Sequence, residues 1–246
     1  MKTILEICAG DIASVRAAAD GGADRVELCA ALGAGGLTPS QGFIAEAVRV
    51  GGVKVHVLIR AREGHFVYTA DELEIMNRDI ATAAQCGAAG VVIGALRHDA
   101  TVDVDACCLL VETARQHGLS VTFHRAFDQV CDPFTALEEI IGLGCDRLLT
   151  SGLRPTALEG AGMLHDLNEA AANRIVIIAA SGVNSRNVAE IISRSGCHEV
   201  HASARSEVAS PMTFTRNSVT MGSIADEDFR RLTTDIDEVR NIKVKI

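Results

Sequence analysis

Short strand-like segments alternate with helix-like segments along the whole chain, and this alternation limits the possible folds more than any other feature. The eight segments with strand character are 4–8, 25–29, 54–60, 90–94, 120–124, 147–150, 175–180 and 199–203. Amphipathic helical segments separate them, as in folds built from parallel strands joined by helices. Eight such units in 246 residues match the size of a (β/α)8 barrel. We therefore predict an α/β fold, a parallel eight-stranded TIM barrel that forms a single domain over residues 1–246.

Local signals mark the ends of the helical segments. Residues suited to helix N-caps are Asp11, Ser40, Thr69, Asp132 and Ser185. Thr69 begins a capping box with Glu72. The last part of the chain is less regular. Residues 207–223 show no clear periodicity and predict an irregular loop, and a final helix is predicted near 226–237.

A doubly wound sheet is the alternative arrangement of the same elements. Such a sheet normally has a glycine-rich dinucleotide fingerprint directly after its first strand. This chain has Cys8-Ala-Gly-Asp11 at that point. We therefore favour the barrel and expect no nucleotide cofactor.

Strand alternation directs a set of polar side chains into the predicted barrel. Successive side chains of a strand point to opposite faces, and the apolar face must pack against the helices. The polar side chains that consequently point inward are Glu6, Glu27, Arg60, His124 and His201. Catalytic groups of TIM barrels lie at the C-terminal ends of the strands, so we interpret these residues as catalytic. The alternative is a structural ion-pair network that fills the barrel.

The segment Val121-Thr-Phe-His-Arg-Ala-Phe-Asp128 brings three ionisable groups to the end of the fifth strand. His124 is expected to exchange a proton near neutral pH. Arg125 offers a planar fork to a carboxylate or phosphate, and Asp128 is suited to orient either residue. A core histidine with satisfied hydrogen bonds is the alternative for His124. Glu6 and Glu27 lie on neighbouring strands and are expected to form an acid/base pair or, alternatively, to neutralise Arg60.

Further polar residues follow other strands and predict an anion-binding site. Arg60 and Arg62 follow the third strand and are suited to hold an anion, although a solvated loop is the alternative for Arg62. In TIM barrels the loops after strands seven and eight often bind phosphate through backbone N–H groups. The predicted substrate-binding residues are Arg62, Arg125, Ser151, Ser181, Gly182 and Ser203.

Cys8 and Cys29 form the candidate metal site. They end adjacent strands on the same strand face, so their sulfur atoms are expected to lie close together. Two thiolates suit Cu(I), a soft ion. The alternative is a pair of buried thiols that pack as small apolar groups. No lysine lies at the C-terminal end of a predicted strand, which disfavours a Schiff-base mechanism.

Charge and composition restrict the partners and the compartment. The net charge of −9 argues against nucleic acid and anionic membranes as main partners. The first residues lack the pattern of a signal peptide, and no stretch is long enough to span a bilayer. We therefore expect a cytoplasmic protein, where disulfides are rare. The cysteines show no CxxC spacing that would predict a structural zinc site.

Several motifs occur along the chain in a specific order. They are Leu5-Glu-Ile-Cys8, Gly22-Ala-Asp-Arg-Val-Glu-Leu-Cys29, Gly35-Gly-Leu-Thr-Pro-Ser40, Thr122-Phe-His-Arg-Ala-Phe-Asp128, Leu149-Thr-Ser-Gly152 and Glu199-Val-His-Ala-Ser203. Together they resemble the CutC family, the so-called copper homeostasis proteins, from residue 4 to about Met212. The resemblance implies a TIM barrel, a cytoplasmic location, often a homodimer, and an association with copper, for which Cys8 and Cys29 occupy the family's matching cysteine positions.

Two loops depart from the pattern of that family. The loop after the third strand reads Arg60-Ala-Arg-Glu-Gly-His-Phe66, where the family usually has Arg-Pro-Arg-Gly-Gly-Asp-Phe. The glycine-rich turn after the seventh strand is altered to Ala179-Ala-Ser-Gly182. Both departures fall in loops that are predicted to bind the substrate.

The sequence leaves two functional hypotheses. In the first, the chain is a cytoplasmic protein of copper homeostasis that binds Cu(I). In the second, it is a TIM-barrel lyase, isomerase or hydrolase whose substrate is a small anionic or phosphorylated molecule. His124 and the pair Glu6/Glu27 then act as acid/base groups. The expected partner is accordingly a copper ion or a small anionic molecule.

Overall fold

Eight parallel strands close into a barrel, as the alternation predicts. The structure is a computed structural model that describes residues 2–214 and 229–246. Its barrel strands are β1 (Ile4–Ala9), β2 (Arg25–Leu28), β3 (Lys54–Leu58), β4 (Gly90–Ile93), β5 (Ser120–Phe123), β6 (Arg147–Thr150), β7 (Val176–Ala179) and β8 (Glu199–Ala202). Each strand pairs with the next, and β8 pairs with β1. The prediction of a TIM barrel is confirmed.

Helices surround the barrel. They are α1 (Ile12–Asp20), α2 (Gln41–Val50), α3 (Ala70–Gln85), α4 (Val104–Gln116), α5 (Pro133–Gly142), α6 (Ala161–Ala171), α7 (Val188–Ser195) and α8 (Ile236–Val244). Short 3-10 turns lie at Leu32–Ala34 and Arg125–Gln129. Within the described residues, the helices are all too short or too polar to cross a membrane.

Four of the five predicted caps are present at helix N-termini, whereas the prediction for Ser185 is wrong because α7 begins at Val188 with Asn187 at its N-cap. The Asp11 side chain accepts a hydrogen bond from the Ser14 amide at 2.7 Å, and Thr69 forms the capping box with Glu72 at the start of α3. Capping satisfies backbone N–H groups that have no partner inside the helix. The sequence therefore identified these helix starts from local interactions alone.

The C-terminal part of the chain differs from the prediction. Strands β9 (Arg205–Ala209) and β10 (Arg230–Thr234) form a two-stranded antiparallel sheet beside the barrel. The loop predicted at 207–223 therefore begins with strand residues, and the helix predicted near 226–237 is wrong because α8 begins only at Ile236. Positions 215–223 and 226–228 lie outside the described residues. Residues 230–234 form a strand and not a helix because of interactions with distant parts of the chain. They pair with β9, and the Thr234 amide donates to the Ser14 hydroxyl on α1 at 3.0 Å.

Polar and apolar side chains occupy different parts of the barrel interior. Outward-facing residues such as Leu5, Ile7 and Val26 belong to the main core between strands and helices. Two smaller apolar clusters are separate from that core and lie on the inward strand faces. They consist of Cys29, Leu58 and Val92, and of Leu149, Ile178 and Ala180. The polar half of the interior is built by β1, β2 and β8, whose registers place Glu6 beside both Arg25 and His201.

Candidate functional site

A cavity of about 300 Å³ lies at the C-terminal ends of the barrel strands. Ten of the residues predicted as catalytic, substrate-binding or metal-binding line this cavity: Cys8, Glu27, Cys29, Arg60, His124, Arg125, Ser181, Gly182, His201 and Ser203. Residues from six strands or their following loops therefore meet at one place. The four remaining predicted residues, Glu6, Arg62, Asp128 and Ser151, lie outside the lining.

Glu6 lies below the cavity and supports it. Its carboxylate forms an ion pair with Arg25 and accepts from His201 Nδ1 at 2.7 Å. Burial opposes ionisation, yet Arg25 and His201 hold the pKa of the Glu6 carboxyl well below its usual range. Glu6 is thus a fixed negative charge that orients the His201 ring.

His201 and Glu27 face each other in the polar half of the cavity. His201 Nε2 lies 3.8 Å from Glu27 Oε2. Although burial opposes protonation, hydrogen bonds to Cys8 and Glu6 raise the pKa of His201 well above its ordinary value. Burial raises the pKa of the Glu27 carboxyl to about 8, although the nearby His201 acts in the opposite direction. The site therefore holds an imidazolium group beside a carboxyl group that is mostly protonated at neutral pH.

His124 is buried and neutral. The Ala126 amide donates to its Nδ1 at 3.2 Å, and its Nε2 has no hydrogen-bond partner among the described residues. The Phe66 ring packs against it, with 5.0 Å between ring centroids. Burial and the charge of Arg60 lower the pKa of His124 to about 3. A group with this pKa is uncharged at neutral pH, which disfavours the predicted proton exchange by His124.

Arg60 connects the loops that follow β2 and β3. Its terminal nitrogens donate to the backbone carbonyls of Ala34, Gly36 and Gly64 at 2.8–3.0 Å. Its guanidinium carbon lies 5.1 Å from the centre of the Phe66 ring. Arg60 therefore contributes positive charge to the cavity, while most of its donors are already bound to the protein.

Arg62 organises its own loop outside the cavity. Its guanidinium pairs with Glu72 and donates to the carbonyl of Val67 at 2.7 Å. It also lies 5.3 Å from the centre of the Tyr68 ring. The two arginines after β3 are consequently separated in the structure, and only Arg60 reaches the cavity.

Asp128 and Ser151 join the loops that follow β5 and β6. Asp128 accepts from the Ser151 amide at 3.0 Å, and its other oxygen accepts from Arg125 Nε at 2.7 Å. The Ser151 hydroxyl donates to the Arg154 carbonyl at 2.6 Å. These contacts hold Arg125 in place at the edge of the cavity, where 45% of its side chain is exposed.

The loops after β7 and β8 have an unusual backbone. Ser181, Gly182 and Ala204 have φ angles of 80°, 70° and 45°, in the left-handed region that is unfavourable for residues other than glycine. The amides of Ser181, Gly182 and Ser203 donate no hydrogen bond to any residue in the two described ranges. Left-handed residues with free amides at functional sites often form a cradle for an anion.

Sequence reasoning did not assign several residues that line the cavity. Arg205 is the first residue of β9, and the apolar wall consists of Leu32, Leu58, Phe66 and Leu149. Leu58 shares the strand face of Arg60, so its parity was a usable signal. Leu32 and Phe66 come from loops, where no periodicity predicts orientation.

The cysteine pair has the predicted proximity. Cys8 Sγ lies 3.9 Å from Cys29 Sγ, and a Glu27 carboxyl oxygen lies within 4.8 Å of both sulfur atoms. The hydrogen bond from Cys29 lowers the pKa of the Cys8 thiol well below its ordinary value. Two neighbouring sulfur donors, one of them readily ionised, fit a soft metal ion such as Cu(I).

A family model agrees with the motifs in the sequence. The model of the CutC family matches residues 3–206. The chain belongs to the CutC family. The match includes all eight barrel strands and ends before β10 and α8. The CutC assignment therefore applies to the barrel and its cavity.

Similar proteins support the same family over most of their length. A family protein CutC of Vibrio cholerae is 48% identical over 229 residues, which are 93% of this chain and 90% of the relative. The corresponding protein of Vibrio campbellii is 43% identical over 242 residues, 98% of both chains. A crystal structure from Streptococcus agalactiae, named as a copper homeostasis protein CutC, has a TM-score of 0.78 and 33% identity, and the match covers 82% of this chain and 98% of that one.

Proposed function

We propose that the barrel mouth is the active site of an enzyme that acts on a small anionic molecule. One observation carries the proposal: Glu27, His124 and His201 come from three different strands and line a single cavity with the free amides after β7 and β8. A structural ion-pair network would fill this space with side chains. Instead, ionisable groups surround a cavity of about 300 Å³ at the face where TIM barrels perform catalysis.

The anionic part of the substrate is bound by the loops after β7 and β8. The amides of Ser181, Gly182 and Ser203 supply uncharged donors, and Arg125 and Arg205 supply positive charge at the same cavity. Such a combination suits phosphate or carboxylate. Asp128 and Ser151 position Arg125, and Arg62 positions the loop that carries Phe66.

The reacting part of the substrate lies between Glu27 and His124. Glu27 is the residue that transfers a proton, with His201 held beside it by Glu6. This arrangement suits a lyase, isomerase or hydrolase, since each of these reactions needs a positioned acid/base group.

Phosphate binding tests the anion site directly. We expect inorganic phosphate to occupy the loops after β7 and β8 in soaked crystals, and Arg125→Gln/Arg205→Gln to lower its affinity roughly tenfold or more, because charge-assisted hydrogen bonds are lost. Arg186→Gln is the matched control, since Arg186 is exposed and does not line the cavity. Equal affinity in all three proteins, or phosphate bound only elsewhere, would contradict the proposal.

Activity is tested on a panel of phosphorylated and carboxylated metabolites. We expect Glu27→Gln to abolish turnover, because glutamine keeps the shape of the side chain but cannot transfer the proton. If Glu27→Gln turned over a substrate at the rate of the wild-type protein, the proposed role of Glu27 would be contradicted.

Cu(I) binding by Cys8 and Cys29 is a second candidate function. It is favoured by the 3.9 Å separation of the two sulfur atoms and by the copper name of the Streptococcus agalactiae protein. We expect about one Cu(I) per chain under reducing conditions, lost in Cys8→Ser/Cys29→Ser and retained in the control Cys86→Ser/Cys131→Ser. Unchanged stoichiometry in the first variant would eliminate this candidate.

We further propose that the protein is a cytoplasmic homodimer whose chain forms a single domain. All eight cysteines are free thiols, as expected in a reducing compartment, and the homodimer is what CutC family membership suggests. Light scattering after size-exclusion chromatography measures the oligomeric state. A single unfolding transition is expected for a single domain.

A further inference from the structure

The tautomer of His124 follows from a single hydrogen bond. The Ala126 amide donates to Nδ1 at 3.2 Å. A backbone N–H is always a donor, so Nδ1 must be the unprotonated nitrogen that accepts. A neutral imidazole then carries its proton on Nε2. The fold therefore determines which nitrogen of His124 is a donor.

The Nε2–H donor has no acceptor among the described residues. His124 is only 5% exposed, and Nε2 is buried without a partner. Buried donors are rarely left unpaired, because each loses its hydrogen bonds to water. The side chain lines the cavity at the barrel mouth. Water in the cavity can accept this hydrogen bond, and a bound molecule with an acceptor atom would replace that water.

The surroundings of the ring keep it in one place. Phe66 packs on the imidazole at 5.0 Å between centroids, and Gly94 adjoins the edge that contains Nδ1 and Cε1. A Cβ atom at position 94 would collide with the ring. The positive charge of Arg60 opposes protonation of the imidazole. His124 is thus a preorganised neutral donor rather than a carrier of protons.

We propose that the substrate has a carbonyl group in addition to its anionic group, and that His124 Nε2–H donates a hydrogen bond to the carbonyl oxygen. The proposal rests on the function proposed above and names its substrate class. A fixed donor of this kind stabilises negative charge that develops on an oxygen during the reaction. A neutral imidazole can polarise a carbonyl group while a separate carboxyl group transfers the proton. His124 keeps its proton throughout, so its contribution is electrostatic.

Nitrogen NMR of the histidine rings tests the tautomer. We expect His124 to show a protonated Nε2 and an unprotonated Nδ1 that do not change from about pH 5 to about pH 8. A ring that carries its proton on Nδ1, or that titrates in this range, would overturn the proposal. This measurement needs no substrate and no activity.

Two phosphate compounds test the acceptor. Phosphoglycolohydroxamate carries a carbonyl-derived oxygen like that of an enolate, whereas glycerol 3-phosphate has no carbonyl group. We expect calorimetry to show roughly tenfold preference for the hydroxamate in the wild-type protein, since only this compound offers a carbonyl oxygen to the Nε2–H donor. The preference should disappear in His124→Phe, which keeps the ring shape without a donor, and decrease in Gly94→Ala, which displaces the ring. His124→Gln, which retains an N–H donor, should recover part of it.

The outcomes separate this inference from the function on which it rests. If both compounds bind with equal affinity, the carbonyl assignment fails while the anion site stands. If His124→Phe retains the full preference, the hydroxamate oxygen is bound by another group and the inference fails. If neither compound binds, both the proposed function and the inference are contradicted. Circular dichroism of each variant confirms that the barrel is folded.

Discussion

Two buried histidines illustrate how the barrel determines charge at the level of single residues. Burial lowers the pKa of His56 and of His124 to about 3. Each ring lies on an inward strand face, and His56 is only 2% exposed. At neutral pH both rings are uncharged, whereas hydrogen bonds to Cys8 and Glu6 raise the pKa of His201 and hold this ring in its protonated form. Position within the barrel, rather than residue type, therefore decides the charge of a histidine here.

Replacement of His56 should change how stability depends on pH. Because its folded-state pKa lies below the unfolded value of about 6.5, the unfolded chain binds more protons as pH falls below that value, and the folded state loses stability. Glutamine removes this cost. We therefore expect the destabilisation caused by His56→Gln to be about 2 kcal/mol smaller at pH 5 than at pH 7. Urea unfolding at the two pH values measures the difference. His98→Gln, at an exposed site, is the control, and an equal pH effect in both variants would contradict the prediction.

At the scale of elements, α8 attaches the C-terminal segment to the barrel through α1. Val239 and Ile242 are completely buried. Val239 packs directly on Gly21 at the end of α1, where an added Cβ atom at position 21 would lie only 2.6 Å from the Val239 side chain. We expect Ile242→Ala to lower the free energy of unfolding by about 2–5 kcal/mol, because it leaves a cavity. Val244→Ala in the same helix is the control, since Val244 is 86% exposed. Similar denaturation midpoints for the two variants would show that α8 does not pack as described.

The elements that the sequence predicts are those determined by local interactions. Strand periodicity and caps such as Asp11 and Thr69 are short-range signals, and they identified the barrel strands and several helix starts. The strand β10 and the true start of α8 depend on pairing with β9 and on contact with Ser14, more than 200 residues away in sequence. No local pattern carries that information.

In the candidate site, too, the sequence predicts what depends on local structure and misses what depends on long-range contacts. Strand parity predicted that Glu27, Arg60, His124 and His201 share one interior, because parity is a property of each strand alone. It did not predict that Ala126 determines the tautomer of His124. Nor did it separate the residues that line the cavity from those that support it, since that separation depends on the depth of each residue in the closed barrel.

At the scale of the whole molecule, a buried ion network lies below the cavity and connects the strands that close the barrel. Arg25 on β2 pairs with Glu6 on β1 and with Glu199 on β8. Arg147 on β6 lies 3.3 Å from the same Glu199 carboxylate. The network therefore spans the junction between the first and last strands, and it holds the Glu6 carboxylate that orients His201.

Removal of Arg25 tests this closure. Arg25→Met leaves two buried carboxylates without their main partner, and we expect it to cost about 3–5 kcal/mol of unfolding free energy, because an unpaired buried charge is strongly unfavourable. Arg49→Met is the control: the Arg49–Glu46 pair is on the surface, where such pairs contribute about 0–1 kcal/mol. The triple variant Arg25→Met/Glu6→Gln/Glu199→Gln should recover much of the lost unfolding free energy, since uncharged amides then replace both carboxylates. If Arg25→Met were no more destabilising than Arg49→Met, or if the triple variant were less stable than Arg25→Met alone, the network would not hold the barrel closed through its charges.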